Sequence, residues 1–171
     1  MARRGWGAGQ AVGCGWSNKP FQRLAATADL VIESTVTAHR SYPTPDERDI
    51  FTDYEFSIGQ VILQKYAHTF SRPIIFKWNG GTVLFDGSPI TTGTVENGRR
   101  VTLKDGDHVV IFGRYDPADA KWRFGAWDVF YIQRNFVKND LPVHDGLNEG
   151  LAPLIRLDRF AAKVNDLAGQ Q

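Results

Sequence analysis

The stretch "IFTDYEFSIGQVIL" (50–63) alternates apolar and polar residues and then loses step. Tyr54, Phe56 and Ile58 share one parity and Asp53, Glu55 and Ser57 the other, the period-2 pattern of a half-buried strand. Beyond Gly59 the apolar positions become Val61 and Leu63, on the opposite parity. A phase slip at a glycine is what a β-bulge produces: one extra residue, a sharper twist, and side chains redirected to the other face. Long strands that curl into a small closed barrel use this device, so Gly59 is expected to be a structural bulge in such a strand.

The rest of the chain supplies companions for that strand. "NKPFQRLAATA" (18–28) reads as a short helix, with Asn18 as cap and Pro20 in the first turn. "DLVIESTVTA" (29–38) alternates, with Leu30, Ile32, Val36 and Ala38 on one face, and "HRSYPTPDERD" is a surface loop. "RPIIFKW" (72–78) is a further strand, with "NGG" (79–81) a hairpin signal before "TVLFD" and "ENG" (96–98) a second Asn-Gly turn. "DGDHVVIFGRY" (105–115) leads from a turn into a buried strand, and "DPADA" reverses the chain into "KWRFGAWDVFYIQ" (121–133). From Asn135 to Pro153 the pattern dissolves into loop. Leu154, Leu157, Phe160 or Ala161, Val164 and Leu167 then recur at helical spacing, giving an amphipathic helix with one core-facing stripe. Many short strands bracketed by helices predict a mainly β fold, a small barrel or sandwich.

Charge narrows the partners. The net charge of +1 gives the whole molecule no strong pull toward nucleic acid or anionic lipid. No apolar run approaches the roughly 18 residues of a transmembrane helix. The single cysteine, Cys14, rules out an intramolecular disulfide framework and cysteine-rich metal sites. No acid precedes Asp29, whereas Arg3, Arg4, Lys19 and Arg23 do, and the same stretch is rich in glycine. Without the apolar segment of a signal peptide, residues 1–19 are expected to form a flexible basic arm able to order against a partner.

Four segments together, "ADLVIESTVTA", "IFTDYEFSIGQVIL", "GGTVLFDGSPI" and "LKDGDHVVIFGRY", resemble a widespread set of uncharacterised secreted bacterial domains of the netrin-like, OB-barrel kind. The likeness covers roughly residues 20–168 and is most specific at Phe51-Thr52-Asp53-Tyr54, Gly80-Gly81-Thr82 and Val109 to Phe112. It implies a small closed or partly open OB-like β-barrel over 20–138. A loop and a C-terminal helix packed on the barrel would fill 139–171. It also implies a secreted or cell-envelope location. More distantly, "CGWSNKPFQRLAATADLVIESTVTA" is similar to the start of tissue inhibitors of metalloproteinases, in which a Cys-x-Cys wedge grips the protease zinc. That likeness makes Cys14 a candidate inhibitory wedge, although Trp16 stands where the second cysteine would be.

Catalytic patterns are sparse. His39, His68, His108 and His144 show no i, i+4 pair, so no metal ligand set is read from them, and no Gly-x-Ser-x-Gly elbow occurs. No cofactor is expected, and the chain reads as non-catalytic. Interleaved cations and aromatics are richer: Lys77, Arg114, Lys121 and Arg123 neighbour Trp78, Tyr115, Trp122 and Phe124. OB barrels stack bases on such rings, but a barrel also needs large aromatics inside. Candidate binding residues are therefore Trp78, Arg114, Tyr115, Trp122 and Arg123, with Trp6 and Trp16 in the arm. Three functions follow: a protein-binding module that self-assembles through the arm by adding a strand to a neighbour's sheet, a netrin-like protease inhibitor, or an OB barrel for single-stranded nucleic acid or glycan.

Overall fold

The computed structural model describes residues 21–66, 70, 72–93, 102–138 and 154–169. In chain order the elements are α1 (Phe21–Thr27), β1 (Leu30–Pro43), β2 (Ile50–Gln64), β3 (Ile74–Phe85), β4 (Ser88–Gly93), β5 (His108–Asp116), β6 (Lys121–Arg123), β7 (Val129–Gln133), β8 (Phe136–Lys138), β9 (Leu154–Arg156) and α2 (Leu157–Ala168). β1, β2 and β3 form an antiparallel meander. β6 lies parallel to β3 and antiparallel to β5, and β5 returns antiparallel to β1. That last pairing closes a five-stranded barrel with the OB connectivity, in which the third and final barrel strands run parallel. β7, β8 and β9 continue the sheet outward from β5.

Closure depends on bending β1 and β2, which pair over their whole lengths. Glu33 faces Gln60 and Ser34 faces Ile58, so Gly59 is left without a cross-strand partner. The missing side chain leaves room for the Glu33 carboxylate, which a Cβ on Gly59 would approach to 3.2 Å. Two more shifts skip Ile62 and Thr37. The shift at Ile62 corrects the expected phase: Ile62 is buried and Val61 is exposed, while Leu63 packs only partly against the core.

Two aromatic clusters lie on opposite faces of β5. Phe112 meets Phe21, Phe130 and Phe160, the layer beneath the two helices. The next residue, Gly113, points the other way, into the barrel, where a Cβ would overlap the edge of the Phe76 ring. Phe76 in turn meets Phe56, Phe124 and Trp122. α2 contributes Leu157, Phe160 and Val164 to the helix-side layer, a buried stripe at helical spacing. α1 is only seven residues long and is held by buried Phe21, Leu24 and Ala25, with the Lys65 ammonium donating to the carbonyl of Ala26 near its C-terminal end.

Five boundaries differ from the sequence reading. β1 runs on through residues 39–43, which pair with β2, so the expected "HRSYPTPDERD" loop shortens to residues 44–49. "NGG" is no hairpin turn: β3 passes straight through it. Gly80 and Gly81 have φ of 136° and 145°, and a Cβ on Gly81 would collide with the hydroxyls of Thr52 and Ser41. The glycines serve close approach between strands, sealed by the Thr52 hydroxyl donating 2.7 Å to the Gly80 carbonyl. The chain reverses instead at Asp86-Gly87, both at positive φ as a two-residue type I′ turn requires. "KWRFGAWDVFYIQ" is two strands, because Asp128 caps a turn at Gly125 by accepting its N–H at 2.6 Å. The 135–153 loop begins with β8, paired to β7 across a second positive-φ turn at Arg134-Asn135. Leu154 belongs to β9 and not to the helix. The "ENG" turn lies outside the described residues.

Candidate functional site

The outer wall of the barrel carries one row of charges. Asp53 on β2, Lys77 on β3 and Arg123 on β6 are direct cross-strand neighbours. From β1, the Tyr42 hydroxyl donates to Asp53 at 3.1 Å. From the β5–β6 turn, Asp119 accepts from Lys77 at 3.4 Å and from Arg123 at 2.6 Å, and Asp116 pairs with Arg123 at 2.8 Å. The Lys77 ammonium also sits 4.3 Å above the Phe51 ring. Partial burial, then the Asp53 charge and hydrogen bond, push the Tyr42 phenol up to about 12. The same register sets Arg40 opposite Asp53 and Arg114 opposite Arg123, so the row is of mixed sign, and Lys77, Arg114 and Arg123 are each engaged by a carboxylate. Cations held in this way differ from the continuous positive groove that tracks a phosphate backbone.

The stacking residues are placed elsewhere. Trp78 and Trp122 are each only 6% exposed, and Trp78 lies 5.1 Å from Phe124 inside the barrel. Tyr115 is half-buried with its ring edge-on to Trp122 at 5.3 Å. Arg114 is ion-paired with Asp128, whose side chain is 3% exposed. The structure therefore corrects the expected platform: Trp78 and Trp122 are core, Arg114 anchors the 124–128 turn, and Arg123 belongs to the mixed-charge row. Barrel closure is the physical reason, because strand alternation turns these rings inward and leaves their charged neighbours outside. Trp6, Trp16 and Cys14 lie outside the described residues, as do His68 and His144.

The two described histidines each meet a carboxylate that local sequence gives no hint of. His39 Nδ1 lies 2.7 Å from Asp105, and its ring stacks on Tyr54 at 5.7 Å. His108 Nε2 lies 2.7 Å from Glu33, the residue lodged over Gly59. Both pairs tie β1 to β5 or the turn before it, a role in holding the barrel's closing edge. Among the described residues no group of three or more His, Cys, Asp or Glu side chains is placed to hold a metal ion.

The feature that residue-by-residue reasoning missed is the β3–β4 ribbon. Beyond Asn79, β3 has left β2 and pairs, among the described residues, with β4 alone. Leu84 is 76% exposed and Phe85 50%, at adjacent positions that point to opposite faces. The signal was present as three consecutive apolar residues, Val83, Leu84 and Phe85, immediately before an Asp-Gly turn. No helix among the described residues is long and apolar enough to cross a membrane. No protein-family model matches the chain, and no curated protein matches it.

Proposed function

We propose that this protein is a non-catalytic, protein-binding module that associates with copies of itself. The observation that carries the reading is the β3–β4 ribbon, which holds Leu84 and Phe85 in water while the barrel keeps its larger rings inside. Adjacent large apolar side chains at a projecting tip are what a recognition surface needs and what an isolated monomer has no use for. Among the described residues the outer edge of this ribbon has no paired strand, so it also offers backbone hydrogen bonds to an incoming strand. Recognition of nucleic acid or glycan by ring stacking has less support, since the tryptophans at 78 and 122 are covered. The extracellular or envelope setting is part of the proposal and rests on the resemblance to secreted domains.

Size-exclusion chromatography with light scattering, over a wide dilution series, tests self-association. The expected result is a mass that rises with concentration; a monomer throughout would overturn the reading. Repeating the series on a chain lacking residues 1–19 separates association through the basic arm from association through the barrel.

A further inference from the structure

The ribbon has a counterpart on the same molecule. β8 and β9 form the far end of the sheet, and among the described residues β9 pairs with β8 alone. Their register sets Phe136 opposite Arg156 and Lys138 opposite Leu154, and all four side chains are exposed, whereas Val137 between them is buried. One face of this strip is thus a checkerboard of two apolar side chains and two cations, with Phe136 41% and Leu154 57% exposed. Arg134, in the β7–β8 turn, adds a further exposed cation at its edge, and Asp158 offsets part of the charge by pairing with Arg156 at 3.2 Å. The ribbon has the opposite character: between Gly80 and Gly93 the sole ionisable residue is Asp86, at the tip beside Leu84 and Phe85.

We infer that the ribbon tip of one copy docks on the β8–β9 strip of a second copy. The contact rests on the self-association reading and gives it surfaces. Leu84, the more exposed of the two tip residues, meets the apolar diagonal of Phe136 and Leu154, and Asp86 at the turn lies against the cations of the other diagonal, Lys138 and Arg156. Both patches are strand-built and, among the described residues, end in an unpaired edge, so backbone pairing can extend the contact. Because tip and strip are different surfaces, a single contact leaves one tip and one strip unused, so association either closes reciprocally as a two-fold dimer or continues into rings or filaments. A second protein copy fits the tip better than a lipid surface does, because the tip carries an acid and a membrane-inserting apolar tip is ordinarily flanked by cations.

The test uses the full chain in two double variants, Leu84→Ser with Phe85→Ser at the tip and Phe136→Ser with Leu154→Ser at the strip. Circular dichroism and melting curves check that both are folded. Light scattering is expected to show wild type associating and each variant alone remaining monomeric. An equimolar mixture should form a species of two chains and nothing larger, because one intact tip and one intact strip remain. Asp86→Asn, which keeps a residue tolerant of the turn's positive φ, is the second variant should a double variant unfold; it is expected to weaken association about two- to fivefold at low salt. Wild-type association unchanged in both double variants would overturn this interface and leave the self-association reading standing. A wild type that is monomeric at every concentration would overturn both. Monomeric variants that fail to complement on mixing would overturn the tip-to-strip pairing. Flotation of wild type with phosphatidylglycerol vesicles, lost in the tip variant, would overturn it in favour of a lipid surface.

Discussion

Residues 74–79 and 80–85 belong to one unbroken strand, yet the first half lies in the barrel wall and the second stands in water. In the first half Ile74, Phe76 and Trp78 are buried and paired to β2 on one side, with β6 on the other. In the second half Leu84 and Phe85 have no such cover. The two glycines at the junction, and the hydroxyls of Thr52 and Ser41 packed against them, mark where the strand leaves the wall. Apolar residues of similar size thus serve stability before residue 80 and remain available for contact after it. Hydrophobic content alone does not distinguish the two; only the presence of neighbouring strands does.

Substitutions along and around β3 sharpen this contrast. The largest effect is expected in the wall: Phe76→Ala removes a ring that meets Phe56, Trp122 and Phe124 and should cost about 3–5 kcal/mol in denaturant unfolding. A cost below about 1 kcal/mol would show that the barrel interior is not the stabilising core. Arg114→Ala should come next, at about 3 kcal/mol, because it leaves the buried Asp128 carboxylate without its cation. Asp128→Asn combined with Arg114→Met should recover part of that loss, and a double variant as unstable as the single would argue against a charge origin.

Alkaline pH probes the wall more gently. Burial pushes the Tyr54 phenol up to about 12, so the folded chain holds this proton more tightly than the unfolded chain, whose tyrosines titrate near about 10. The associated stability is fully present below about pH 10 and is lost as the pH rises toward 12. Unfolding midpoints measured across that window should fall less steeply for Tyr54→Phe than for wild type; identical slopes would refute the assignment. The smallest stability effect belongs to the ribbon. Leu84→Ser with Phe85→Ser should leave the unfolding free energy within about 0.5 kcal/mol per site, and a loss of 2 kcal/mol or more would mean that the tip is part of the core.

Strand alternation made much of the barrel legible before any coordinates. Tyr54, Phe56, Leu30, Ile32 and Val36 read correctly as inward, and the α2 stripe followed from its spacing. The slip at Gly59 was visible because one glycine broke a strict pattern. Less was legible where one signal serves two purposes. The glycines at 80 and 81 permit close strand approach as readily as they permit a turn, and local sequence does not separate the two. Trp78 and Trp122 carried the same pattern whether stacked on a ligand or packed in a cylinder. The ion pairs that fix Lys77, His39 and His108 join residues 42 or more apart in the chain, so no local window of sequence contains both partners. Even Arg114 and Asp128, 14 apart, meet only once the β5–β6 hairpin has formed. Asp128 shows the same limit: its carboxylate stops a run of residues that otherwise reads as one continuous strand.

One stretch of the barrel wall is thin. β6 has three residues, meeting β3 at two positions and β5 at three, whereas β1 and β2 are zipped together for thirteen. A cylinder with so short a stave can breathe there while the long β1–β2 pairing across the barrel stays fastened. Slow-timescale openings would then begin at residues 121–123 and briefly wet Trp122, giving the barrel a built-in weak point opposite its strongest seam.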